Sequence, residues 1–296
     1  MSILDDIVAY KRDFVAARKR QIPLVEIKER AADMLPPPAF LAAIHRGADE
    51  DINVIAEVKK KSPSKGIIRE DFDPIRIAID YAEHDAAAIS VLTDEQFFDG
   101  RLDYLRQIRG ELTETPLLRK DFTIDEYQIY EAREAGAAAI LLITGILDKF
   151  QLVGFRELAE DLGMAALTEV HTEREADFAA EHGARIVGVN NRDLNTFDVD
   201  LKQTQKILQL LGGPRKGFVF VAESGISKPA HVEYLRQVGV DAILVGESLM
   251  REPKPGKALV KLLKRDEEAQ EKIAAAQEQI KRGNDDGFAI WRAIQD

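Results

Sequence analysis

The chain has 296 residues, no cysteine, and 41 basic against 52 acidic side chains, for a formal charge of −11. That balance argues against nucleic acid or an anionic membrane surface as the main partner, and the missing thiols exclude disulfides, thiolate metal sites and cysteine nucleophiles. The charged opening MSILDDIVAYKRDFVAARKR lacks the apolar centre of a secretory signal, and no run approaches the roughly 18 apolar residues of a membrane span, so a soluble, cytoplasmic protein is expected.

In chain order, residues 1–48 predict a helical extension. An amphipathic YKRDFVAARKR is followed by PPPAFLAAIHRG, with proline where a helix starts and glycine where it stops. From residue 49, short apolar runs alternate with longer helical patterns. The runs are NVIAEVK at 53–59, AAISVLT at 87–93, PLLRK at 116–120, AAAILLIT at 137–144, MAALTEV at 164–170, IVGVN at 186–190, FVFVAES at 218–224 and AILVGES at 242–248. Segments such as DPIRIAIDYAEHDA, IDEYQIYEAREAGA and LDKFQLVGFRELAEDLG lie between them, several ending near the glycine expected just past a helix. Near-continuous apolar strands alternating with helices imply a parallel sheet covered on its faces. Eight such units over residues 49–265 predict an α/β fold, a closed (β/α)8 barrel. An open doubly wound sheet usually carries a Gly-rich turn after its first strand, where this chain has KKKSPSKG. Residues 266–296 form a tail of helical composition. A GNDDG break precedes FAIWRAIQ, in which Phe288, Trp291 and Ile294 recur at helical spacing. This tail is expected to pack on the barrel exterior or on a partner subunit, outside catalysis.

Active sites of such barrels form at the carboxyl-terminal strand ends. Those ends are polar here: Glu57 and Lys59, Lys120, Glu169, Asn190 with Arg192, Glu223 with Ser224, and Gly246. Alternation puts Glu57 and Lys59 on one face and turns Lys60 away toward solvent or a loop acid, with Lys61 at the turn. VAESGI and ILVGESLM bring Gly225 and Gly246 to where backbone N–H groups approach an anion, and a short ESLM helix would aim its positive end at the same spot. A phosphorylated small molecule is the expected ligand. Lys120 and Glu169 offer a proton donor and acceptor on the third and fifth strands, although an ion pair that only neutralises buried charge also fits these two residues. His171 shares the face of Glu169, but no second histidine or carboxylate follows at a metal spacing, so neither metal nor cofactor is expected.

IAEVKKKSPSKG at 55–66, followed in order by SVLTDEQFFDG, LLRKDF, ALTEVH, GVNNRDL, VAESGI and LVGESLM, resembles the indole-3-glycerol phosphate synthase family from the amino terminus to about residue 250. The resemblance implies a TIM-barrel lyase of tryptophan biosynthesis. Its substrate would be 1-(2-carboxyphenylamino)-1-deoxyribulose 5-phosphate, converted to indole-3-glycerol phosphate with loss of carbon dioxide and water. The same resemblance implies that Lys120 is the general acid for ring closure and that Glu169 assists the dehydration. Lys59, Gly225, Gly246 and the backbone of Glu247 would hold the phosphate, and Ser62 and Arg192 the ring carboxylate. Glu57, Asn190 and Ser224 would surround the reacting sugar carbons, Phe98 and Phe122 would line the aromatic pocket, and Glu223 would be a further binding residue. The family's amino-terminal extension implies helices over the barrel mouth. Two other barrels of the pathway fit less well: the isomerase of phosphoribosylanthranilate relies on a cysteine base in its usual form, and the tryptophan synthase alpha chain lacks the Glu-x-Lys…Ser-Pro-Ser opening. A non-catalytic phospho-ligand-binding barrel is the reading from another class, and it would be expected to lose Lys120 or Glu169 before its phosphate loops. A monomer or weak homo-oligomer is expected, with no nucleic-acid or membrane partner.

Overall fold

A computed structural model describes residues 3–47, 50–193, 196–214, 216–281 and 288–294. Eight strands form the core: β1 (Asn53–Val58), β2 (Ala88–Leu92), β3 (Leu117–Lys120), β4 (Ala139–Ile143), β5 (Ala165–Val170), β6 (Ile186–Asn190), β7 (Val219–Glu223) and β8 (Ala242–Val245). Each is parallel to its neighbours, and β1 pairs with both β2 and β8, so the sheet closes on itself. All eight apolar runs become strands, because each is short, nearly continuous in apolar residues and bounded by polar turns.

Side-chain alternation divides every strand between two environments. Ile55, Leu118, Leu141, Leu167, Val221 and Leu244 point inward and fill the barrel. Val54, Ala56, Leu117, Ile140, Val187 and Ile243 point outward against the helices. Two residues further along the inward positions the character changes from apolar to polar: Ile55 gives way to Glu57, Leu118 to Lys120, Leu167 to Glu169 and Val221 to Glu223. The pleat that packs the interior thus also aims the charged side chains into the mouth.

Three helices precede the barrel: α1 (Ile3–Gln21), α2 (Leu24–Ala32) and α3 (Phe40–Ile44). Ile3, Leu4 and Ile7 of α1 reach the mouth, as a lid would. Helix α3 departs from the expectation that the whole extension lies over the mouth. Its Phe40 and Ile44 are fully buried in the cluster that fills the barrel interior, and the Asn53 side chain, at the start of β1, donates to the Ile44 and His45 carbonyls. This helix therefore plugs the opposite end. The physical reason is that a barrel interior lined by Ala88, Ala139 and Ala242 leaves apolar volume at its base that large side chains must fill. The boundary drawn at residue 48 lies outside the described residues.

Beyond the barrel, the helix Pro255–Leu263 ends before Glu267–Lys281 begins, and a short helix follows at Ala289–Ala293. Ala269, Ile273 and Ala276 are buried against the outer helices. The GNDDG break at 283–287 lies outside the described residues. Among the described residues no helix is long and apolar enough to cross a membrane.

Candidate active site

A cavity of about 580 Å³ opens at the carboxyl-terminal ends of the strands, roofed on one side by α1. All fourteen residues singled out from the sequence line it: Glu57, Lys59, Ser62, Phe98, Lys120, Phe122, Glu169, Asn190, Arg192, Glu223, Ser224, Gly225, Gly246 and Glu247.

The floor is a cluster of charge. Lys120 Nζ lies 2.9 Å from Glu169 Oε2 and 3.3 Å from Glu223 Oε2. Burial penalises its charge, but Glu169, Glu223 and Glu57 outweigh that penalty and hold it protonated well above the ordinary lysine range. Glu169 accepts a hydrogen bond from Asn190 Nδ2 at 3.0 Å and has His171 Nε2 at 3.2 Å on the same oxygen. Burial raises its pKa, yet Lys120, His171 and Asn190 prevail and keep it ionised. His171 is likewise opposed by burial but is held at about 10 by Glu169 and Glu175, so it is an imidazolium at neutral pH. Glu223 differs from Glu169. Burial, with the neighbouring Glu169 and Glu57 charges, outweighs Lys120 and pushes its carboxyl up. Glu223 Oε1 has no hydrogen-bond partner among the described residues.

Two glycines make room for these carboxylates. A Cβ at Gly188 would collide with Glu223 Oε1, and one at Gly246 would collide with Glu57. Glu57 in turn accepts Lys59 Nζ at 2.5 Å, while Lys60 turns to Asp99 at 2.5 Å, the loop acid anticipated for it. Lys61 does not end in an open turn: it begins a two-residue hairpin strand, Lys61–Ser62, paired with Gly66–Ile67. Ser62 Oγ is buried at the cavity wall without a hydrogen-bond partner among the described residues.

The rims differ in character. Phe98 and Phe122 face each other with centroids 6.0 Å apart, forming an apolar slot with Leu92 and Ile143. Opposite them, Ser224 and Gly225 adopt left-handed φ values of 67° and 79°, and Gly246 caps the short helix Glu247–Met250. The Glu247 carboxylate turns to Arg251 at 3.0 Å and lies 3.6 Å from Arg192. Arg192 also donates to the Phe197 carbonyl. It therefore sits beside the glycine-rich rim.

Sequence inspection missed a second charged cluster directly behind this floor. Arg119, next to Lys120 on β3, points outward and donates to Thr93, the Gln128 carbonyl, Asp121 and Glu131. Lys11 of α1 is wholly buried, 2.6 Å from Asp121 and 3.0 Å from Asp94. Asp94 caps the helix that carries Phe98, and Asp121 accepts from the Phe122 backbone. Lys11 thus joins α1 to both aromatic loops. Its only sequence signal is a lysine where the amphipathic face of YKRDFVAARKR should be apolar, four residues before the buried Val15.

Comparison with known proteins agrees with this architecture. A family model described as indole-3-glycerol phosphate synthase matches residues 4–262. The chain is 48% identical over 262 residues to the indole-3-glycerol phosphate synthase of Salinibacter ruber, an alignment covering 88% of this chain and 95% of that one. It is 49% identical over 251 residues to that of Acetivibrio thermocellus, covering 84% and 94%. Among solved structures, a mutant tryptophan synthase alpha-subunit from Pyrococcus furiosus superposes with a TM-score of 0.54 at 16% identity, covering 72% of this chain and 98% of that one, which speaks to the barrel fold alone.

Proposed function

The chain belongs to the indole-3-glycerol phosphate synthase family, and from that premise we propose how its strand-end residues divide the reaction. The enzyme is a decarboxylating carbon–carbon lyase. It closes the indole ring of 1-(2-carboxyphenylamino)-1-deoxyribulose 5-phosphate and releases carbon dioxide and water.

Ring closure joins the ring carbon that bears the carboxylate to the ketone carbon of the sugar, and the ketone oxygen takes up a proton. Lys120 is the donor. Its carboxylate neighbours hold it protonated in the free enzyme, and the developing alkoxide is a far stronger base than any of them, so the proton moves only as the bond forms. Carbon dioxide then leaves with restoration of the aromatic ring. In the final step the new hydroxyl departs as water and a ring proton is lost, with Glu169 assisting. Asn190 and the imidazolium of His171 keep that carboxylate oriented. Glu57 and Ser224 border the sugar carbons, and Lys59 serves the phosphate end while bonded to Glu57.

The phosphate is assigned to Gly225, Gly246 and the backbone of Glu247, where small residues allow close approach of N–H groups. The aromatic ring is assigned to the Phe98–Phe122 slot, with Ser62 and Arg192 toward its carboxylate. The unpartnered Ser62 hydroxyl supports a substrate contact there, since buried hydroxyls ordinarily have partners. Glu223 completes the binding surface. A cytoplasmic enzyme, monomeric or weakly associated, is consistent with this reading.

The observation that carries the proposal is the position of Lys120, the only lysine that reaches Glu169 and Glu223 together at the cavity floor among the described residues. Incubation of the purified protein with the anilino-deoxyribulose phosphate should produce indole fluorescence. Lys120→Met should slow ring closure by roughly 100-fold or more, and Glu169→Gln should impair dehydration. Near-normal rates in both variants at saturating substrate would leave the pair as a charge-neutralising contact only.

A further inference from the structure

The family match ends at residue 262, so the helices Glu267–Lys281 and Ala289–Ala293 lie beyond it. They are not loosely attached. Ile273 and Ile294 are buried in the main core cluster, and Trp291 packs edge-on against Tyr234 with ring centroids 5.0 Å apart. Tyr234 belongs to the helix Pro229–Val238, which begins just after the loop 224–227 that follows β7. Trp291 also lies 6.1 Å from the ring of His231, one turn earlier on the same helix.

His231 reaches back into that loop. Its Nδ1 is 3.2 Å from the Gly225 carbonyl oxygen and 3.4 Å from the Ser227 backbone nitrogen. Burial lowers its pKa, so the ring is neutral near pH 7, and Nδ1 ties the loop in either tautomer, donating to the Gly225 carbonyl when protonated and accepting from the Ser227 N–H when not. The loop needs such an anchor. Ser224 and Gly225 both have left-handed φ, a conformation that costs a non-glycine residue and persists only where the surroundings over-determine it. On its other side Val199 leaves no room for a Cβ at Gly225, and Ser248 donates to the Ile226 carbonyl. The loop is therefore gripped from three directions, one of which leads to the tail.

We infer that the carboxyl-terminal helices set the affinity of the active site for phosphate, through a relay in which Trp291 holds His231 and His231 holds the loop backbone at Gly225 and Ser227. Neither side chain is a catalytic residue. Both are positioning residues: they fix the direction of the backbone N–H groups at 225 and 226 without meeting the substrate. The inference rests on the assignment of this loop to the phosphate.

The test is competition by inorganic phosphate, measured together with steady-state kinetics on the full-length protein and on Trp291→Ala, His231→Phe, the double variant and Ile273→Ala. His231→Phe keeps a ring against Trp291 and loses the hydrogen bond. Either of the first two variants should raise both KM and the phosphate inhibition constant by about three- to tenfold, the range that one lost hydrogen bond allows, with kcat close to wild type. The double variant should be no worse than either single one. Ile273→Ala lies in the same tail on a different helix from Trp291, and it should lower Tm while leaving the phosphate constant alone. Wild-type phosphate constants in Trp291→Ala and His231→Phe, or independent additive effects in the double variant, would overturn the relay. If inorganic phosphate failed to compete even in the wild type, the phosphate assignment itself would be wrong and the relay would fall with it.

Discussion

Two buried charge clusters occupy opposite faces of β3, one residue apart in sequence. Behind the strand, the cations Lys11, Arg18 and Arg119 meet the carboxylates Asp94, Asp121 and Glu131, and every member has an opposite charge within 3.1 Å. Burial is thereby compensated, and Asp121 is held well below the ordinary carboxylate range by Lys11 and Arg119 against the cost of burial. In front, Lys59, Lys120 and protonated His171 face four carboxylates, Glu57, Glu169, Glu175 and Glu223. One carboxylate too many is present, and Glu223 bears the strain. A balanced cluster stabilises a junction. An unbalanced one remains available to a ligand that brings its own charges and protons.

The largest effect should come from breaking the balanced side. Lys11→Met leaves Asp94 buried without its cation and Asp121 with Arg119 alone, and loss of one partner of such a pair costs about 3–5 kcal/mol. Thermal denaturation should show a much lower Tm, and an unchanged Tm would mean that α1 contributes little to the fold. On the unbalanced side, Lys59→Ala should raise KM and lower kcat together, by roughly tenfold each, because its ammonium is used in both bound substrate and transition state. An unaltered kcat would confine Lys59 to ground-state binding.

A smaller effect of opposite sign is expected at Glu223. Its folded-state pKa is raised from the ordinary 4.5 to about 7, so the fold favours the protonated acid. Its contribution to stability is complete below pH 4.5 and is lost as pH rises through about 7. Glu223→Gln mimics the protonated form and should therefore raise Tm above pH 7 by a few degrees, a gain that vanishes toward pH 4.5, while activity declines. A variant less stable than wild type at pH 8 would contradict the charge imbalance. The smallest effects should follow Lys60→Ala and Lys61→Ala, which ought to alter KM and kcat only a few-fold, since exposed charge pairs contribute little. Losses comparable to those of Lys59→Ala would point to a diffuse cationic patch.

The inner cluster was legible in the sequence because strand alternation carries it: a run such as IAEVK names its inward residues by parity, and the charged ones fall at the strand end where a barrel opens. Arg119 shows why the outer cluster was not. It has the same parity signal as Leu117, an outward position expected to be apolar, and nothing local announces that Glu131 and Lys11 converge on it from segments 12 and 108 residues away. The plug formed by Phe40 and Ile44 escaped for a related reason. A short amphipathic segment next to prolines reads the same at either end of a barrel, and only the space left beneath small interior residues decides which end it fills. The helical tail was foreseen, but its contact with His231 depends on tertiary packing that helical spacing does not encode.

The division of β3 into a structural and a chemical face is tested most directly by one paired experiment, in which turnover per folded molecule and Tm are measured for Arg119→Met and Lys120→Met. Arg119→Met should lower Tm by roughly 5–10 °C while the folded fraction turns over near the wild-type rate. Lys120→Met should lose turnover per folded molecule by roughly 100-fold or more, out of all proportion to any fall in Tm from unpairing Glu169. If the two neighbours lost turnover and stability in the same proportion, the clusters would form one electrostatic unit, and the separation of a balanced junction from an unbalanced active site would be contradicted.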